Sequence, residues 1–259
     1  MSAPSGSIVL EARGIAKQFG GLKALDNVDL KVIQGECLAI IGPNGAGKTT
    51  FFNILTGLLR ESAGRILFEG VDITDYAPHR RAAIGISRTM QITSIFPQLS
   101  VFDNVLIGVQ GPHAPWKALR LKALPVDEMR RRAAEIVELV GLGDNADVIC
   151  ANLSHGDQRL VEIALALSVE AKMLLLDEPT AGLSITETRY ITSRLRDIWQ
   201  RKKLTIVIVE HDMEVALGLA TRVAVFHQGA CLAIGEPKAI MADEVVNRVY
   251  LKGHTRADT

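Results

Sequence analysis

An eight-residue stretch, Gly42-Pro43-Asn44-Gly45-Ala46-Gly47-Lys48-Thr49, follows the pattern G-x-x-x-x-G-K-[ST] and constrains this chain more than any other feature. Its flanks give the pattern meaning. Cys37 to Ile41 is a short apolar run that reads as a buried strand, and Thr50 to Gly57 reads as a helix ended by a glycine. Strand, glycine-rich loop and helix in that order make a phosphate-binding loop. The glycines let backbone N–H groups curl around an anion. The helix N-terminus adds its partial positive charge. In such a loop Lys48 reaches the β- and γ-phosphates and the Thr49 hydroxyl holds Mg²⁺.

Two further segments supply chemistry. Met173-Leu174-Leu175-Leu176-Asp177-Glu178 places two acids at the end of an apolar strand, and the C-terminal edge of a doubly wound sheet is where ligands bind. Asp177 is expected to help hold Mg²⁺ beside Thr49, and Glu178 to orient and polarise the attacking water. Val209-Glu210-His211-Asp212 repeats the design after another apolar run. His211 there can donate a hydrogen bond to a γ-phosphate as charge shifts during transfer. A third segment, Ser154-His155-Gly156-Asp157, opens a helical pattern with Ser154 as its N-cap. Serine, glycine and exposed N–H groups at a helix start can form a second anion cradle. One chain with two phosphate cradles points to a dimer in which each chain closes over its partner's nucleotide.

The remaining sequence sets the frame. Short apolar runs alternate with helical patterns from Ile8 to about Val225, the signature of an α/β fold with a largely parallel sheet. Ile8 to Ala12 and Val28 to Val32 mix apolar and polar positions and read as half-exposed antiparallel strands. Residues 101–169 are mostly helical in pattern. Met129, Ala133, Ile136, Val137 and Val140 mark one buried helix face, which leaves Arg130-Arg131-Arg132 as a solvated surface. Gly111 to Pro125 reads as a loop-like insertion with a basic, partly apolar segment, Trp116 to Lys122. Lysine plus arginine (29) balance aspartate plus glutamate (29), which argues against a nucleic-acid surface dominating the molecule. The three cysteines, Cys37, Cys150 and Cys231, are scattered without a C-x-x-C pair, the usage of a reducing compartment. The first seven residues read as a disordered tail, not a signal peptide. No apolar run approaches the roughly 18 residues that cross a bilayer.

Taken together, these motifs resemble an ATP-binding cassette (ABC) transporter ATP-binding subunit, and the match covers nearly the whole chain. Gly42 to Thr49 is similar to Walker A, Met173 to Glu178 to Walker B, and Leu153 to Asp157 to the LSGGQ signature. Gln91 stands where the family's Q-loop glutamine would, and His211 where its switch histidine would. Phe19, with Ala24 nearby, fits the aromatic that stacks on adenine. The resemblance implies a P-loop NTPase core with a mainly parallel sheet (8–88 and 170–240), an antiparallel β subdomain, and an inserted α-helical subdomain with the Q-loop (89–169). A C-terminal helix (241–252) and a tail (253–259) complete the expected layout. It implies ATP bound by Phe19, Ala24, Gly42 to Thr50 and Gln91, and Mg²⁺ held by Thr49, Gln91 and Asp177. Glu178 and His211 are implied as catalytic, and Ser154, His155, Gly156 and Asp157 as the cradle for the partner's ATP.

Three positions depart from the family pattern. His155 replaces the first signature glycine, Asp157 the glutamine, and Ser184 the D-loop aspartate. These departures, with Val209 to Met213 and the 153–163 stretch, resemble the ATPases of branched-chain amino acid importers and their urea and amide relatives. That resemblance implies a homodimer or a heterodimer with a sister ATPase, at the cytoplasmic face of the inner membrane. It also implies two permease subunits, a periplasmic binding protein acting indirectly, and no nucleic acid. The competing classes are a non-transport mechanochemical ATPase of the same fold and a nucleotide-binding module that does not hydrolyse. The former usually carries paired cassettes or a long coiled-coil insertion, and this chain has neither. Glu178 argues against the latter.

Overall fold

The computed structural model describes residues 6–89, 95–111 and 125–248. The chain divides into two compact units, Met1–Arg81 with Leu176–Glu178 and Thr205–Thr259, and Ala82–Leu175 with Pro179–Leu204. Gln91, residues 112–124 of the expected insertion, and residues 249–259 lie outside the described residues.

In the first unit, β1 (Ile8–Phe19) and β2 (Leu22–Ile33) form an antiparallel hairpin closed at Gly20-Gly21. β4 (Ala63–Phe68) pairs antiparallel with β1, and β5 (Val71–Asp72) with β4, giving the order β2-β1-β4-β5. Both hairpin strands are longer than the expected five residues. The chain bridges the polar interruptions with irregularities in pairing, where Gly14 and Asn27 take φ of 57° and 53°. Bulges of this kind re-aim the side chains without ending the strand.

The same unit holds a parallel core. β3 (Cys37–Ile41) lies between β8 (Thr205–Val209) and β9 (Arg222–His227), parallel to both, and β10 (Ala230–Gly235) pairs antiparallel with β9. Every residue of β3 and β8 is buried, which is why these strands read as unbroken apolar runs. α1 (Lys48–Leu55) follows the glycine-rich loop and buries Phe51, Phe52, Ile54 and Leu55. Phe51 meets Phe226 of β9 edge-to-face at 5.3 Å, so the loop's helix is fixed to the sheet by an aromatic pair. α7 (Met213–Leu219) and α8 (Pro237–Ala242) belong to the same unit, and residues 244–248, within the expected C-terminal helix, are again helical.

One buried cation ties this unit's far end. Arg81, 2% exposed, sits on α2 (Pro78–Ala83). Its guanidinium donates to the carbonyls of Ile54 (2.6 Å), Leu55 (2.9 Å), Thr74 (2.7 Å) and Tyr76 (3.0 Å). It thereby satisfies carbonyls at the C-terminus of α1 that a helix leaves without intrahelical partners.

In the second unit, β6 (Ile86–Arg88) runs parallel to the first half of β7 (Met173–Asp177), whose last two residues belong to the first unit. The helices are α3 (Val101–Gln110), α4 (Val126–Val140), α5 (His155–Leu167) and α6 (Ile185–Lys202). Serines cap three of them. Ser100, Ser154 and Ser184 each accept the N–H of the residue three further on, which is the strongest local signal for a helix start. On α4 the expected face is present, with Ala133, Val137 and Val140 buried and Met129 and Ile136 partly so. Arg131 is solvated, as expected, within ion pairs to Glu128 and Glu135. Arg130 is also exposed, 5.1 Å from the Phe102 ring centre.

Candidate nucleotide-binding and hydrolysis site

The loop from Gly42 to Thr49 joins β3 to α1, as its flanks require. Its glycines are dictated by contact. A Cβ on Gly42 would stand 2.3 Å from the Phe226 carbonyl oxygen. One on Gly47 would stand 2.7 Å from the Ala24 carbonyl oxygen, at a φ of 98° that L side chains rarely adopt. The Ala24 backbone thus packs closely against the loop. Gly47 is also the N-cap of α1, and having no side chain it leaves the first N–H groups of the helix to an external acceptor. α1 starts at Lys48, two residues before the expected helix, so that these amides open directly onto the loop.

Lys48 is 6% exposed. Its ammonium donates to the carbonyls of Gly42 (2.6 Å) and Pro43 (3.2 Å). Burial pushes its pKa down, while the charges of Glu178 and Asp177 pull it back up. Both acids are thus close enough to act on the lysine electrostatically. Asp177, the last residue of β7, is 1% exposed.

Glu178 follows with φ of 47°, a left-handed conformation that costs a non-glycine residue of order 1–3 kcal/mol and recurs at functional sites. Its N–H donates to the Val209 carbonyl (2.9 Å), which locks the turn against β8 and projects the carboxylate off the strand end. His211, two residues past β8, places Nδ1 4.0 Å from Glu178 Oε2. Acid and histidine therefore share one edge, as the repeated strand-end pattern predicted. Phe19 ends β1 with 47% exposure, and Lys17 Nζ sits 5.0 Å from its ring centre. Sequence spacing carries no signal for this lysine, which also donates to the Arg60 carbonyl (2.6 Å).

Hydroxyl and carboxylate oxygens at Thr49 and Asp177 suit a hard cation such as Mg²⁺, which binds through one or two carboxylates plus substrate phosphates. Thr49 is exposed, so its hydroxyl is accessible. The donor set fits that ion.

Ser154, His155, Gly156 and Asp157 belong to the other unit. Ser154 caps α5, accepting the Asp157 N–H (3.1 Å) and donating to Asp157 Oδ2 (2.9 Å). His155 is exposed and Gly156 buried. The structure thus groups the loop, Ala24, Asp177, Glu178 and His211 in one unit and the signature residues in their own cluster.

Comparison with known proteins agrees with this geometry. Residues 25–181, more than half of the chain, match the ABC transporter family. The chain belongs to that family, and it is an ATP-hydrolysing cassette, the ATPase subunit of a transporter. It is 36% identical to the high-affinity branched-chain amino acid transport ATP-binding protein LivG of Escherichia coli K12, over 94% of this chain and 97% of that one. It is 35% identical, with the same coverage of both, to the lipopolysaccharide export system ATP-binding protein LptB of Haemophilus influenzae. Among solved structures, the ADP conformation of MJ1267, an ATP-binding cassette of an ABC transporter, superposes with a TM-score of 0.84 at 34% identity, covering 95% of this chain and 99% of that one. No helix among the described residues is long and apolar enough to cross a membrane.

Proposed function

We propose that the chain powers an importer for branched-chain amino acids from the cytoplasmic face of the membrane, as a dimer docked on two permease subunits. The observation that carries the hydrolytic part is the pairing of Glu178 and His211 at one strand-end edge, Oε2 4.0 Å from Nδ1, with the charges of Glu178 and Asp177 acting on the Lys48 ammonium. The cargo class is supported by the similarity to LivG. In this reading Gly42 to Thr50 wrap the phosphates with backbone amides and Lys48 neutralises charge on the β- and γ-groups. Phe19 stacks on the adenine. Glu178 accepts a hydrogen bond from the attacking water and orients it. His211, on the same edge, donates to the γ-phosphate as negative charge builds there. Mg²⁺, held by Thr49 and Asp177 with Gln91, would supply charge neutralisation across the phosphates. Ser154 and Gly156 receive the γ-phosphate held by the partner chain, so ATP binds the closed dimer better than the open one and shifts the population toward it.

The central test is Glu178→Gln. It is expected to abolish turnover while leaving an ATP-dependent dimer; turnover at the parental rate would refute the assigned role. Cargo is tested separately by uptake of labelled leucine, isoleucine and valine in cells lacking this chain. Loss of uptake restored by the parent but not by Glu178→Gln supports the amino-acid reading. A second reading, lipid export, is favoured by the comparable identity to LptB, and unchanged amino-acid uptake would turn the assignment toward it. A urea or short-chain amide importer is the other variant, tested by the same assay with those solutes.

A further inference from the structure

Two acids crowd the N-terminus of α5, Asp157 of that helix and Glu187 of α6. The inference rests on the reading that Ser154 and Gly156 receive a partner's γ-phosphate. Both groups are already engaged by acids of their own chain. The Ser154 hydroxyl donates to Asp157 Oδ2 at 2.9 Å. Gly156 is packed against Glu187 from α6, whose Cγ and Oε1 lie 3.5 and 3.8 Å from where a Gly156 Cβ would be. Glu187 Oε2 is taken by Ser184, which donates its hydroxyl at 2.7 Å and its N–H at 3.0 Å. That leaves Oε1 turned toward Gly156. One carboxylate therefore serves two helix N-termini, closing the capping box of α6 and lying against the start of α5.

The electrostatics agree with this placement. The Ser184 hydroxyl, the Ser184 N–H and then the Gly156 N–H hold the Glu187 carboxyl below its ordinary value, and the nearby His155 acts in the same direction. The charged groups facing the cradle are thus Asp157 and His155 from α5 and Glu187 from α6. The Glu187 carboxylate beside Gly156 places an anion near this helix start, where orphan N–H groups can accept one. The cost appears when a triphosphate approaches, because two like charges must first move aside or be neutralised. His155, Asp157 and Ser184, the three departures from the family pattern, all meet at this point.

We propose that Asp157 and Glu187 are positioning residues that set the ATP concentration at which the dimer closes, Asp157 by holding the Ser154 hydroxyl and Glu187 by placing its charge beside Gly156 until the γ-phosphate displaces them. Glu187→Gln isolates the charge, because glutamine closes a capping box as glutamate does. Asp157→Asn does the same at Ser154.

The experiment is an ATP titration of dimer formation, read by analytical ultracentrifugation, in Glu178→Gln protein with and without these changes. Each single change is expected to lower the half-maximal ATP concentration roughly two- to five-fold, the span of one exposed charge interaction. The double change is expected to lower it further. Nucleotide affinity of the monomer, read at the phosphate loop, should stay at the parental value in both variants, as should the thermal midpoint of Asp157→Asn, which a merely structural role would not allow. Should Glu187→Gln lower the thermal midpoint, Asp157→Asn decides. An unchanged or raised threshold in Asp157→Asn overturns the proposal. Failure of the Glu178→Gln protein to dimerise at any ATP concentration instead overturns the reading of the cradle on which the proposal stands.

Discussion

The ammonium of Lys48 lies 2.6 Å from the carbonyl oxygen of Gly42, six residues back along the same loop. The loop is thus folded around its own lysine, and a phosphate exchanges a neutral acceptor for a charged one. The ammonium's hydrogen bond to a carbonyl is already charge-assisted, and an anionic phosphate oxygen adds ion-pair attraction to it, so the exchange favours nucleotide.

Lys48 is held at a cost, and removing it separates stability from function. Burial lowers its pKa despite Glu178 and Asp177. A folded-state value below the unfolded one means that stability is fullest above the unfolded pKa of about 10.4 and is given up as pH falls through the folded value. At neutral pH the charge is therefore a penalty. Lys48→Met is predicted to melt at or above the parental temperature while nucleotide affinity or turnover falls ten-fold or more. Calorimetry alongside nucleotide titration checks both.

Gly47→Ala tests the loop's backbone. The new methyl meets the Ala24 carbonyl oxygen at 2.7 Å and Leu25 Cδ2 at 2.8 Å, at φ 98°. Strain of about 1–3 kcal/mol is expected, together with loss of nucleotide binding. Gly45→Ala, whose Cβ meets nothing within 4 Å, shares the positive φ of 79° but lacks the collision, and it should melt higher than Gly47→Ala. Thermal melts of the two variants compare strain alone with strain plus clash.

Arg81→Met removes a buried guanidinium that satisfies four carbonyls. The Ile54 carbonyl keeps the Gly57 N–H (3.1 Å), but leaving the other buried acceptors unpaired costs about 1–3 kcal/mol each, and the total is expected to exceed about 3 kcal/mol. Urea unfolding followed by tryptophan fluorescence measures it.

Acid weakens the start of α6. The Glu187 carboxyl is held below its ordinary value near 4.5, first by the Ser184 hydroxyl. Its contribution is present above that value and disappears as pH falls through the lower folded one. Thermal stability of the parent should fall with pH below about 4.5 more steeply than that of Glu187→Gln.

The parts of the fold that were plain in the sequence are those where one physical demand dominates. β3 and β8 are buried on every residue and read as unbroken apolar runs. The phosphate loop is legible because Gly42 and Gly47 are required sterically. The hairpin β1–β2 was underestimated, because its bulges at Gly14 and Asn27 break the alternation that a strand shows in sequence. Lys17 over Phe19 is a contact that sequence spacing does not announce. Ser184-Ile185-Thr186-Glu187 does carry a readable capping-box pattern. What it could not reveal is that Glu187 also lies against Gly156, 31 positions earlier in the sequence, since only tertiary packing brings α5 and α6 together.

The most direct measurement is a crystal structure of the ATP-loaded Glu178→Gln protein. The account predicts two chains enclosing two nucleotides, with Ser154 Oγ of each within hydrogen-bonding distance of the γ-phosphate held by its partner's Lys48. A structure in which ATP is bound and the Ser154 turn lies away from every nucleotide would contradict it.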